Sequence, residues 1–186
     1  MQRITSGLVV TALFALSAGC GGAEGGKGSN IATTESVISA KEVEAEDDNC
    51  GPGNVDFGTG SEGIERQLNK ARHAVCRYRL IEAALADGYA NSGLPCIPGQ
   101  GYHYIKSSLV GTTDIRHPSV LMYTADGRLN SPEWIAPVSQ FPTPPSIFGQ
   151  QMHIEDELGL WILHVWVWKL NPNGVFEDVN PNVTCP

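Results

Sequence analysis

Two histidines stand inside apolar stretches that read as strands: His103 in Gly101-Tyr102-His103-Tyr104-Ile105, and His164 in Leu163-His164-Val165-Trp166-Val167-Trp168. An imidazole in such a place either donates to one backbone carbonyl and packs as a flat ring, or it belongs to a site. Strand alternation puts Gly101, His103 and Ile105 on one face, with Tyr102 and Tyr104 on the other. It likewise groups Ile162, His164, Trp166 and Trp168 opposite Leu163, Val165 and Val167. Glu133 opens a third apolar run, with Ile135 on its side. Should these faces coincide, two imidazoles and a carboxylate converge. That donor set suits a divalent transition metal such as zinc, manganese or iron with open positions, or a general-base pair with an orienting acid. Tyr102, Tyr104, Trp166 and Trp168 are the aromatic candidates for ligand binding. Glu155-Asp156-Glu157, beside His153, has calcium-ligand chemistry but reads better as a hydrated acidic loop. His73 falls on the polar side of a helix, and His117 precedes Pro118 in a turn.

Other chemistries lack their motifs. The chain has no G-x-x-x-x-G-K-[ST], G-x-S-x-G or H-E-x-x-H, and Gly99-Gln100-Gly101 does not extend to a dinucleotide fingerprint. Beyond Cys20 the cysteines are Cys50, Cys76, Cys96 and Cys185, an even set without C-x-x-C spacing, as two disulfides require. Three connectivities are open to them. Cys96–Cys185, tying the tail to the sheet, with Cys50–Cys76, pinning the linker to the helix, is the expected pairing. It leaves no thiol nucleophile.

The elements that must position these residues are legible in outline. Residues 61–88 predict one helix, capped by Ser61, with Glu62 and Glu65 at its positive end and Gly88 closing it. Ile64, Leu68, Ala71, Val75, Tyr78 and Leu85 form its apolar stripe. Residues 101–105, 119–123, 133–138 and 160–168 predict strands, with Asp126-Gly127 as a hairpin turn. The proline-rich run 140–150 predicts a loop, and a nonregular tail follows Asn171-Pro172-Asn173-Gly174. The expected fold is α+β, one long helix packed on an antiparallel sheet of about four strands and stapled by disulfides, with a small β-barrel as the alternative.

Residues 1–19 have the parts of an export signal: Arg3, an apolar run over 7–16 too short to be a permanent membrane span, and small residues before Cys20. Leu16-Ser17-Ala18-Gly19-Cys20 resembles the bacterial lipobox, whose cysteine is acylated; Ser17 departs from the commonest pattern, which has an aliphatic residue there. The expectation is a cell-envelope protein, exported and held on a membrane by lipid on Cys20. Residues 20–60 read as a disordered glycine-rich and acidic tether, and 61–186 as a single globular domain. Over 21–60, eight acids face two lysines, so most of the net charge of −8 lies in the tether. The 61–186 segment carries nine basic against twelve acidic residues, which speaks against nucleic acid as a partner.

Three stretches carry a resemblance. Residues 83–89 (Ala-Ala-Leu-Ala-Asp-Gly-Tyr), 96–104 (Cys-Ile-Pro-Gly-Gln-Gly-Tyr-His-Tyr), and 164–185, with His164-Val165-Trp166-Val167-Trp168, Asn171-Pro172-Asn173-Gly174 and Asn180-Pro181-Asn182-Val183-Thr184-Cys185, are similar to an uncharacterised family of exported bacterial and archaeal proteins. The likeness covers most of 70–186. It implies a shared fold and export, and transfers no catalytic residue. Family members resemble V-E-Y-F where this chain has Pro132-Glu133-Trp134-Ile135, which aligns Glu133. The expected function is a binding domain for a small ligand, metal ion or protein partner. A metal-dependent enzyme using His103, Glu133 and His164, and a structural lipoprotein without a site, are the alternative readings.

Overall fold

A computed structural model describes Cys50 and residues 53–186. The export signal, Cys20 and the tether up to residue 49 lie outside the described residues. Helix α1 spans Glu62–Val75 and buries Leu68, Ala71 and Val75, three members of the predicted stripe. Its start differs from expectation, since Ser61 makes no side-chain cap. Instead Glu65 reaches back, accepting from the Phe57 amide at 2.9 Å and from the Thr59 amide at 2.9 Å. Asn69 does the same for Val55, accepting from its amide and donating to its carbonyl. Residues 53–60, expected to end the tether, are therefore laid along α1 as part of the fold.

The single helix expected over 61–88 is two. A 3-10 turn at Cys76–Tyr78 follows α1, and a short helix α2 spans Ile81–Ala86. The break lies where the chain bonds elsewhere: the Arg79 carbonyl accepts from the Leu129 amide, and the Ile81 amide donates to the Gly127 carbonyl. These bonds to the hairpin replace helical ones and turn α2 onto a new course, leaving Leu85, predicted on the stripe, exposed.

The fold is α+β, with an open antiparallel sheet of six strands rather than about four, and it is not a closed barrel. The strands are β1 (Ala90–Asn91), β2 (Tyr102–Ile105), β3 (Val120–Tyr123), β4 (Leu129–Pro137), β7 (His153–Glu155) and β8 (Leu160–His164), in the order β1-β2-β3-β4-β8-β7. A separate small hairpin, β5 (Ser146–Ile147) and β6 (Gln150–Gln151), sits in the stretch expected to be a plain loop. Its turn has Phe148 at φ 55° and Gly149 at φ 69°, the left-handed pair that a two-residue hairpin turn requires.

Alternation divides the sheet into two unlike faces. Leu121, Tyr123, Trp134, Ala136 and Leu163 point toward α1 and form the main core with Leu68, Ala71 and Val75. Val120, Ile135 and Ile162 point the other way into a smaller cluster. Two disulfides fasten the unit, Cys50–Cys76 with Cα atoms 5.6 Å apart and Cys96–Cys185 at 5.8 Å, as paired above. Among the described residues no helix is long and apolar enough to cross a membrane.

The last strand ends earlier than its apolar run. Pairing of β8 with β4 stops at His164↔Glu133. Beyond it the Trp166 amide donates to the Val175 carbonyl at 2.9 Å, while Ser131 donates its hydroxyl to the Val165 carbonyl at 2.7 Å. These bonds lead the chain out of the ladder, so the expected alternation fails at Trp168. That side chain packs beside α1, under the guanidinium of Arg72 at 4.8 Å.

Candidate metal centre

Register across the sheet builds the site. Ile105 pairs with Val120, Val120 with Glu133, and Glu133 with His164, so one row of side chains crosses four strands on the face away from α1. His103 lies two residues along β2 from Ile105, on the same face. From there its Nε2 reaches over β3 to within 3.7 Å of Glu133 Oε2, and His164 Nε2 lies 3.6 Å from Glu133 Oε1. One donor atom from each of His103, Glu133 and His164 falls within 4.8 Å of the others. The three residues predicted from strand alternation therefore meet.

Burial makes the cluster costly. His103 is 7% exposed, Glu133 5% and His164 1%. Glu133 Oε2 and His164 Nε2, both facing the centre, have no hydrogen-bond partner within the fold. Each such atom forfeits about 1–3 kcal/mol of hydration, so two side by side mark a place that favours a further partner. A tetrahedral ion bound at about 2.1 Å holds neighbouring donors roughly 3.4 Å apart; here each imidazole lies 3.6–3.7 Å from its own oxygen of Glu133 and the three donors lie within 4.8 Å of one another, so a small inward shift would close them on an ion. Two imidazoles with one carboxylate leave a coordination position for water or substrate.

The electrostatics divide the two histidines. Burial dominates at His103 and lowers its pKa, against the pull of Glu133, so its ring is neutral. Burial also opposes the charged form of His164, but Glu133, Asp178 and Glu155 together outweigh it and raise that pKa.

A further residue, not predicted, stands behind the site. Asp178 Oδ1 lies 3.5 Å from His164 Nδ1 and 3.0 Å from His153 Nε2. A carboxylate behind Nδ1 favours the proton on that nitrogen and leaves Nε2 to face the centre, the usual support for a ligating histidine. The His164 contact is the main reason that the Asp178 pKa is lowered; burial works against it and His153 assists. Asp178 lies in a nonregular tail, where no periodicity could have pointed to it.

The cluster forms part of the wall of a cavity of about 320 Å³. Ile97, Ile105, Val120, Ile135, Leu160 and Ile162 also line it, together with Glu155 and Glu157. The aromatic candidates do not share this cavity. Tyr102 and Tyr104 line a second hollow with Tyr123 and Asp126. Trp166, its ring centroid 6.4 Å from that of His164, is fully buried with Met122 and Val183. Trp168 belongs to the α1 side. The walls beside the centre are aliphatic because β2, β3, β4 and β8 present branched residues there, whereas Tyr104, Tyr123, Trp134 and Trp161 face the main core. His73 is exposed, as expected, and His117 pairs with Asp114 at 2.9 Å away from the cluster. Glu155 ends β7, and Asp156 and Glu157 form the hairpin turn. Comparison with family models, curated proteins and solved structures finds no match for this chain.

Proposed function

We propose that this protein is a lipid-anchored envelope domain that holds a divalent transition metal on His103, Glu133 and His164 and presents it to a small ligand in the adjoining cavity. The observation that carries the reading is the convergence of His103, Glu133 and His164 from three strands in a buried place, where Glu133 Oε2 and His164 Nε2 lack a hydrogen-bond partner. A structural domain without a site gains nothing from this cluster, because apolar residues of similar volume would fill the space without the loss of hydration. Export through residues 1–19 and acylation of Cys20 place the domain at a membrane surface, with the acidic stretch before residue 50 as its spacer.

The metal-dependent enzyme is the second reading, favoured by the open coordination position beside a cavity. A metal there would act as a Lewis acid on a bound oxygen or lower the pKa of a coordinated water. Asp178 would orient His164, and the aliphatic wall would exclude bulk water.

Cobalt(II) titration tests the site. Protein freed of metal should take up one equivalent and develop visible absorption bands typical of low-symmetry nitrogen and oxygen ligation. Glu133→Gln should weaken uptake at least tenfold while the far-ultraviolet circular dichroism stays unchanged. Equal uptake by both proteins would remove Glu133 from the site.

A further inference from the structure

The cavity beside the three candidate ligands has a composition that restricts what enters it. Its wall is formed by branched aliphatic side chains from β2, β3, β4 and β8, with Ile97 beside them. Two of the exposed large apolar residues of the fold, Leu94 at 39% and Leu158 at 56%, lie on its rim. Among the described residues no lysine or arginine lines it, whereas Glu155 and Glu157 do. At about 320 Å³ it stands at the small end of ligand sites, room for on the order of ten to fifteen non-hydrogen atoms.

We infer that the cavity binds a small amphiphile with one oxygen-bearing, metal-binding head and an apolar chain or ring, and excludes molecules carrying a second negative charge at the far end. This inference rests on the metal reading above and deepens it. Among the described residues no cationic side chain lines the cavity, so the metal is the counter-charge that an anionic head meets, and it accepts one. The chain lies along Ile105, Val120, Ile135 and Ile162, where each methylene removed from water strengthens binding about threefold to fourfold. A terminal carboxylate would meet Glu155 and Glu157 with no cation to pair it. Leu94 and Leu158, exposed in the free protein, become covered when the chain is bound.

Alkyl hydroxamates test the assignment, because their head groups chelate zinc and their chains vary independently. The full chain, purified without a histidine tag, is assayed by isothermal titration in zinc-loaded and chelator-stripped forms, with zinc content measured in parallel. Hexanohydroxamate should bind zinc-loaded protein on the order of a hundredfold more tightly than acetohydroxamate. Its analogue with a terminal carboxylate should bind at least tenfold more weakly than hexanohydroxamate, and stripped protein should lose most of the affinity. Leu94→Asp and Leu158→Asp, at exposed positions that tolerate change, should shrink the chain-length preference without altering zinc content. Equal affinity for the short and long hydroxamates in zinc-loaded protein overturns this inference and leaves the metal centre standing. Chain-length preference in a protein that takes up no zinc overturns the metal centre and upholds the apolar wall. Absence of both zinc and binding overturns both.

Discussion

Glu133 holds one oxygen toward each of two imidazoles, and the three residues have opposite protonation demands in a largely buried space. A bound dication would satisfy all of them at once: it takes the lone pairs of two neutral rings and compensates the carboxylate. His164, whose pKa lies above its ordinary 6.5 in the metal-free protein, must then release a proton on metal binding. Below that raised pKa the free imidazole carries the proton that the metal must displace, so metal affinity should fall by up to tenfold per pH unit as pH drops below it, and level off above it. A metal-competition assay across pH 5–9 measures this, and a flat profile would contradict His164 as a ligand. Asp178→Asn removes the charge behind His164 Nδ1 and should lower metal affinity about 10–100-fold with the fold intact. Unchanged affinity would deny the orienting role. His103, Glu133 and His164 were legible because a strand's period of two assigns faces without knowledge of the partners. Asp178 and His153 were not, since only tertiary packing brings the tail to the end of β8.

The elements work by register more than by propensity. Gly101, just before β2, shows how tightly the register is set. It has φ 99°, and a Cβ there would collide with the Tyr123 carbonyl and lie 2.7 Å from Asn130 Nδ2. Gly101→Ala should therefore cost more than about 1 kcal/mol by denaturant unfolding and weaken metal binding through His103. A neutral effect on both would contradict that placement. The Cys96–Cys185 bridge spans 89 residues of sequence and fastens the tail that carries Asp178. Replacing both cysteines by serine should cost about 2–5 kcal/mol and also reduce metal affinity, whereas loss of stability with full affinity would separate the tail from the site. The strands β2, β3 and β4 stood out by their branched and aromatic runs. The edges β1 and β7, two and three residues long, carry too few positions to show a period. The helix break at Arg79 and the end of β8 at His164 were illegible for a shared reason: in both places apolar character continues while the backbone takes hydrogen bonds from elsewhere in the fold.

At the scale of the whole molecule, a two-faced sheet has one face closed by α1 and the other bearing a buried polar centre, and the proposed export signal and lipid anchor precede it in the sequence. Composition alone separated these parts, since the acidic excess of 21–60 contrasts with the nearly balanced charge of 61–186. It placed the boundary too late, because Val55, Phe57 and Thr59 supply backbone amides that only Asn69 and Glu65 of α1 satisfy. Cys20→Ser should release the protein from the membrane fraction without changing its metal content, and retention of the variant would refute the anchor. The central claim is most directly tested by elemental analysis of the protein purified from its native compartment without a histidine tag. Close to one zinc, manganese or iron ion per chain is the expected result, absent from His103→Ala and His164→Ala proteins that remain folded. Metal-free native protein, with thermal stability unchanged in both variants, would contradict it.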